Sequence, residues 1–310
     1  MVLDGNVDPI AWTNGGKDRT LLDTALRLRT DLGAAATLNA LLDLCGQAST
    51  EDCAFSAGSP TDTHKKWKIL LQRLRAQPVI LNGNLITYAL LVADMNAWLT
   101  TTQPEPTRDN PEFKGWNYAG DRLEQIWRLT TPGSPAAETN PRPSGTDATR
   151  RTPQRKTAET YAGPEQRYAV ECAESPNPRN PLAFLELEAF SFARAGDIGP
   201  AWSWGDEPCA SWPAIAAYRY TGPWDRYTAN PILVVNNTLD PETPYAGAVA
   251  MAGHLARAEL LTVNGYGHTA LLNPSTCVGN FETRYFVDGT LPPPATVCEP
   301  DAKPFTSPVR

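Results

Sequence analysis

One stretch near the C-terminal end constrains the fold more than any other. Pro231-Ile232-Leu233-Val234-Val235-Asn236 is an unbroken, β-branched apolar run bounded by proline and by Asn-Asn. A strand with one wet face alternates apolar and polar residues; a continuous run reads as a strand buried on both faces, as in a parallel sheet. Pro244 to Ala256 predicts a helix opened by prolines, and Ala258-Glu259-Leu260-Leu261-Thr262-Val263 a second strand. Strand, helix and strand in that order make a βαβ unit with a right-handed crossover, so the fold class is α/β. A further helix is predicted from about Ser275 to Asp288, with Gly289 as its stop.

The rest of the chain reads differently. Met1-Val2-Leu3-Asp4 is a short apolar run ending in Asp-Gly, a buried strand in miniature, and Asp8-Pro9 then turns the chain. From about Asp18 to Arg194 the pattern is mostly helical: Leu21, Leu22, Ala25 and Leu28, then Trp67, Ile69, Leu70, Leu71 and Leu74, then Leu85 through Trp98, then Leu123, Ile126 and Trp127. Thr130 to Glu165 is dense in Pro, Thr, Ser, Arg and Glu and nearly free of large apolar residues, so burial does not offset its ordering entropy and a flexible insertion is expected. Pro181 to Ala195 predicts a helix, Ser203 to Pro213 a Trp/Cys-rich loop, and Tyr220 to Trp224 a turn. There is no internal repeat.

Charge and cysteine usage exclude several function classes. A net charge of -7 argues against nucleic-acid or anionic-membrane partners. The local basic group Arg150, Arg151, Arg155 and Lys156 lies in the Pro/Thr/Ser-rich stretch and reads as a solvated loop. No run of eighteen apolar residues is present, so no membrane-spanning helix is expected. The six cysteines form no CxxC pair and the histidines number three, which predicts no metal site; no cofactor is expected either. Disulfides, and with them an oxidising compartment, are the better reading. Sequence leaves the pairing open. Nearest-neighbour pairing (Cys45–Cys53, Cys172–Cys209, Cys277–Cys298) closes modest loops, each bond contributing roughly 2–4 kcal/mol. Met1 to Pro9 reads MVLDGNVDP, which is no signal peptide. A missing upstream segment would reconcile that start with a secreted protein.

The chemistry converges on two loops. In parallel α/β sheets, active residues sit beyond the carboxyl ends of strands. After the first strand of the βαβ unit comes Leu239-Asp240-Pro241-Glu242-Thr243-Pro244, and after the second Gly265-Tyr266-Gly267-His268-Thr269. A carboxylate from one loop can bond one ring nitrogen of a histidine from the other, fix its tautomer and stabilise the imidazolium. Taken singly, Asp240 also reads as a helix cap or turn former and His268 as an ordinary polar residue. Taken together, in corresponding loops and in the order acid then histidine, they match the last two members of a Ser-acid-His triad. His64, among lysines at a helix start, and His254, within a helix, read as surface residues.

Three stretches carry a family resemblance: NPILVVNNTLDPETPYAGAVAMAGHL, AELLTVNGYGHTALLNPSTC and YFVDGTLPPPATVCEPDAKPF. They resemble the C-terminal domain of tripeptidyl-aminopeptidase-like α/β-hydrolases, serine peptidases of the prolyl-aminopeptidase type. Upstream, MVLDGNVDP resembles the strand and turn that follow the nucleophile region, CGQASTEDCAF the first cysteine pair of the cap, and Cys209 to Pro213 a C-x-x-W-P element. The resemblance covers about Asn230–Phe305 well, the cap patchily, and Thr130–Glu165 not at all. It implies a truncated α/β-hydrolase with the last three parallel strands and a large, mostly helical cap. The first remaining strand and turn would span residues 1–12, the cap 13–225 with its flexible segment 130–165, and the C-terminal hydrolase domain 226–310. Asp240 and His268 carry over as catalytic acid and base.

The family's nucleophile sits in a G-x-S-x-G elbow, and this sequence contains none. Ser56 lacks the first glycine, and Ser275 reads as a helix cap. Hydrolysis by this chain alone is therefore expected to be negligible, and its first strand to expose an edge prone to aggregation. For an intact, secreted relative the resemblance implies an exopeptidase that releases short peptides from free N-termini. Its partners would be a peptide substrate and the missing N-terminal hydrolase half. Glu171 and Glu174 are candidates to receive the substrate's ammonium group, against the plainer reading of surface carboxylates. Trp204 and Trp212, with Trp202, are candidates to line the cleft, against the plainer reading of cap core. A non-catalytic peptide- or ligand-binding module, an esterase of the same fold, and a functionless remnant are the alternatives.

Overall fold

The structure is a computed structural model and describes residues 1–15, 21–105, 107–108, 110–133 and 165–306. Most of the expected flexible insertion, including its basic group, lies outside the described residues.

The chain opens on strand β1 (Val2–Asp4), followed by helix α1 (Pro9–Thr13), whose first amides are capped by the Asp8 carboxylate. Helices α2 (Thr24–Leu28), α3 (Thr30–Gln47) and α4 (Pro60–Ala76) begin the helical cap. Helix α4 starts where Ser59 accepts from the Asp62 amide and Pro60 presets the first turn; it buries Trp67, Leu70, Leu71 and Leu74 along one face. A hairpin of β2 (Val79–Leu81) and β3 (Asn84–Ile86) follows. The sequence reading placed its second arm inside a helix beginning at Leu85. The Asn82-Gly83 pair explains the difference, because both residues take positive φ, as a two-residue hairpin turn requires. The helix itself, α5 (Tyr88–Trp98), starts after Thr87 caps it. Helices α6 (Gly115–Thr130), α7 (Glu165–Glu174) and α8 (Ala183–Ala195) complete the larger part of the cap. The stretch expected to be a Trp/Cys-rich loop is largely helical, as α9 (Pro200–Asp206) and α10 (Pro208–Ser211), each opened by a proline.

The cap has its own core. Leu41, Leu42, Phe55, Leu70, Met95, Leu99, Trp116 and Leu123 are buried in one cluster. That cluster also reaches the sheet: Trp116 packs on Tyr266 at 5.5 Å and on Phe305 at 6.1 Å between ring centroids.

The sheet is assembled from the two ends of the chain. Strands β4 (Ile232–Leu239), β5 (Ala258–Tyr266) and β6 (Val297–Cys298) join β1 in the order β1-β4-β5-β6, with every pairing parallel. Helix α11 (Tyr245–His254) follows β4, and α12 (Thr276–Asp288), ended by Gly289 at φ 77, follows β5. The unbroken apolar run of β4 is now explained. Ile232 and Val234 pack with Ala248 of α11 on one face; Leu233 and Val235 pack with Leu261, Val263, Val278 and Tyr285 on the other. The fourth strand, β6, goes beyond the three expected. It is two residues long, too short for periodicity to reveal, and it is pinned to α12 by the Cys277–Cys298 disulfide. The other disulfides are Cys45–Cys53, from the end of α3 to the following loop, and Cys172–Cys209, joining α7 to α10. Among the described residues no helix is long and apolar enough to cross a membrane.

Candidate active site

The parallel register of β4 and β5 brings the two loops together. Leu239, the last residue of β4, pairs with Tyr266, the last of β5, and its carbonyl accepts from the Gly267 amide at 3.0 Å. Two buried asparagines at the end of β4 tie the loops down. Asn236 donates to the Thr243 carbonyl at 3.0 Å, and Asn237 to the carbonyls of Gly267 and Thr269 at 2.8 and 3.0 Å. Asn273 closes the histidine loop from the other side, donating to the His268 carbonyl at 3.0 Å. Gly267 takes φ +86, and a Cβ there would lie 2.5 Å from the Asn273 amide, so the turn before His268 depends on glycine.

Asp240 and His268 meet in this frame. The His268 Nδ1 lies 3.1 Å from both carboxylate oxygens of Asp240. Asp240 is 1% exposed, and its remaining acceptor capacity is filled. It accepts from the amides of Glu242 at 2.9 Å, Thr243 at 2.8 Å and Thr269 at 3.1 Å, and from the Thr243 hydroxyl at 3.0 Å. These donors fix the carboxylate without a permanent cation, which leaves the imidazole as its charged partner. Burial pulls the imidazolium's pKa down, but the hydrogen bond and charge of Asp240, helped by Glu242 and Asp4, carry it up to about 9. Asp4, at the end of β1, accepts from the amides of Ala270 and Leu271. Desolvation raises its pKa, and those two amides counter it. Gly5, at φ +72, lets β1 pass close by: a Cβ there would sit 3.1 Å from His268 Cε1. The imidazole is thus oriented through Nδ1, while Nε2 has the Glu242 carboxylate 3.9 Å away, outside hydrogen-bond reach, which leaves that nitrogen able to act as a general base.

The other candidate residues lie among cap neighbours. Glu171 is buried, its carboxylate held by Arg167 at 2.8 Å, and Arg167 also reaches the buried Asp206 at 3.0 Å. Burial raises the Asp206 carboxyl well above its ordinary range, with the Glu171 charge and hydrogen bond adding to it. Glu174 is half-buried, and its carbonyl accepts from Arg219. Trp204 packs on Phe184 and donates to Glu188, while Trp212 packs on Tyr168. None of these contacts joins the four to the Asp240–His268 pair. The hydroxyls of Ser56 and Ser275 donate to the carbonyls of Ala48 and Glu299, each a local structural bond. Sequence reasoning missed Asp4, Glu242, Thr243 and Asn273 at the site. Thr243, three residues after an aspartate, carried a turn signal; Asn273 carried none, because its role is a set of contacts across loops.

Comparison with known proteins adds an independent line. Residues 194–298 match the family model described as TAP-like protein, of the α/β-hydrolase type. The chain is 34% identical over 139 residues to "Carboxylesterase B" of Mycobacterium tuberculosis, a match covering 43% of this chain and 26% of that protein. It is 31% identical over 144 residues to "Serine protease Hip1" of the same organism, covering 43% and 26%. It is 30% identical over 108 residues to "Tripeptidyl aminopeptidase" of Streptomyces lividans, covering 33% and 19%. The chain therefore spans about a quarter of the length of these curated relatives. The stretch similar to the TAP-like α/β-hydrolase family, residues 194–298, is the one that holds strands β4, β5 and β6 and both Asp240 and His268.

Proposed function

We propose that Asp240 and His268 are the acid and base of a serine hydrolase whose nucleophile comes from outside these 310 residues. The observation that carries this reading is the 3.1 Å contact of His268 Nδ1 with a fully buried, fully satisfied carboxylate at the ends of adjacent parallel strands. In the complete enzyme, a serine hydroxyl attacks the scissile carbonyl while Nε2 takes its proton. Asp240 stabilises the imidazolium, which then protonates the leaving amine or alcohol. Water, deprotonated by the same nitrogen, releases the acyl group. Of the possible substrates, short peptides with a free N-terminus are favoured, since two of the three relatives above carry peptidase names. Three disulfides support an extracellular setting.

The relative named a carboxylesterase favours a second reading, ester substrates on the same machinery. A peptide-binding role without catalysis finds support in a cavity of about 770 Å³ beside the Cys172–Cys209 disulfide, lined by Asn14, Asn177, Arg179, Ile215 and Arg219.

A fluorophosphonate probe tests the reading. On the 310-residue chain, mass spectrometry should find no covalent adduct. An adduct on a serine of this chain that disappears in His268→Ala would place the nucleophile inside it and overturn the proposal. Recovering the natural protein and finding no G-x-S-x-G segment joined to this one would favour the binding reading instead.

A further inference from the structure

Resting on the assignment of His268 as base, we propose that Glu242 is a positioning residue for it. In this reading Thr100 holds its carboxylate, and Thr30 its main-chain carbonyl, so that the side chain stands beside Nε2, where it orients the ring and guards the approach of a nucleophile's hydroxyl. The Glu242 Oε2 lies 3.9 Å from His268 Nε2, the ring nitrogen that Asp240 does not engage. The side chain is anchored where it stands. Thr100, buried two residues past the end of α5, donates from its hydroxyl to Glu242 Oε1 at 3.0 Å. Thr30, the first residue of α3, donates from its hydroxyl to the Glu242 carbonyl at 3.1 Å. The same Thr100 accepts the His268 amide on its own carbonyl at 2.8 Å, so one cap residue holds both partners. Helix α3 reinforces the contact: Thr37 donates to the Leu239 carbonyl at 3.1 Å, and a Cβ on Gly33 would sit 2.8 Å from the Asp240 carbonyl.

The imidazole therefore lies between two carboxylates, one at each ring nitrogen. The charged groups acting on it are Asp240 and Glu242 from the loop after β4 and Asp4 from the end of β1. The cap presents uncharged threonines, the first turn of α11 carries no acid, and Glu282 of α12 feels the charge of Asp4. Glu242 is the more exposed member, with 37% of its side chain accessible. A carboxylate so placed favours the imidazolium through its charge and stands beside the nitrogen that must receive the nucleophile's proton.

The test is an NMR titration of the His268 ring in the full 310-residue chain, compared with Glu242→Gln, Glu242→Asp and Asp240→Asn. Glu242→Gln keeps the shape and an acceptor for Thr100, and should lower the titration midpoint by about one pH unit. Glu242→Asp should restore part of that shift, and Asp240→Asn should lower the midpoint further. A midpoint in Glu242→Gln equal to that of the parent chain would overturn the role of Glu242. If Asp240→Asn alone fails to move it, the Asp240 pairing falls while Glu242 stands, so failure of the two readings is told apart. Glu242→Asp also covers the case in which the amide variant does not fold.

Discussion

Two fully buried aspartates, one in the cap and one at the sheet edge, show what a partner's chemistry decides. Asp31, in the first turn of α3, is gripped by the Arg194 guanidinium, with one nitrogen on each carboxylate oxygen at 2.6 Å, and by the Ser191 hydroxyl at 3.1 Å. Asp240 is equally buried but faces an imidazole, and its other oxygen lone pairs are met by backbone amides and one hydroxyl. Arginine does not give up its proton in a protein, so the first pair is a permanent brace between α3 and α8. Histidine does, so the second pair holds a charge that comes and goes. Structural ion pairs and reactive ones are thus distinguished here by the partner and by access, with Arg194 23% and His268 22% accessible at the side chain but only His268 at the end of the sheet beside a half-exposed loop.

The contrast can be broken from either side. Removing the cap brace has the largest expected effect. Asp31→Ala leaves Arg194 and the Ser191 hydroxyl without their buried acceptor, and should cost about 3–5 kcal/mol in a urea melt, independent of pH across neutrality. The reactive pair should instead make stability depend on pH. Its folded pKa of about 9 lies above the ordinary 6.5, so its contribution is full below pH 6.5 and is lost as pH rises through 9. The loss should be on the order of 2–3 kcal/mol, and a His268→Ala chain should be flat over that interval. A third effect sharpens the comparison at the backbone. Gly5→Ala forces a side chain into positive φ and towards Thr269 Cγ2 and His268 Cε1, and should destabilise by about 1–3 kcal/mol, with displaced His268 ring resonances. The smallest effect is expected from Thr243→Val, which removes one donor to Asp240 and should cost about 1 kcal/mol by thermal melt. A pH-independent parent chain, or an Asp31→Ala chain as stable as the parent, would erase the distinction drawn between the pairs.

How far the site was legible in sequence depends on the range over which its contacts act. Strands β4 and β5 and helices α11 and α12 showed themselves because burial on a sheet or helix face imposes a local period, and the run from Ile232 to Val235 alternates between two cores without a polar break. Asp240 and His268 were visible because each follows a readable strand. The hairpin at Asn82-Gly83 had a local signal too, but the apolar stretch beside it read equally well as helix. By contrast, Glu242 carried no sign that cap threonines would hold it, whereas Arg167 stands four residues before Glu171 on one helix, a pairing that a helical reading of that stretch exposes.

The amino-acid order by itself determined that this chain makes buried parallel strands with an acid and a histidine in successive strand-end loops, because hydrophobic period and turn chemistry are properties of neighbouring residues. Only the tertiary structure decided which donors saturate Asp240, that Asp4 from the far end of the chain sits near the same ring, and that Thr30 and Thr100 fasten the cap to the loop. The contacts of Asp4, Thr30 and Thr100 join residues separated by 142 to 266 positions, and hydrogen-bond geometry over such separations is set by how the layers pack, which no local pattern encodes.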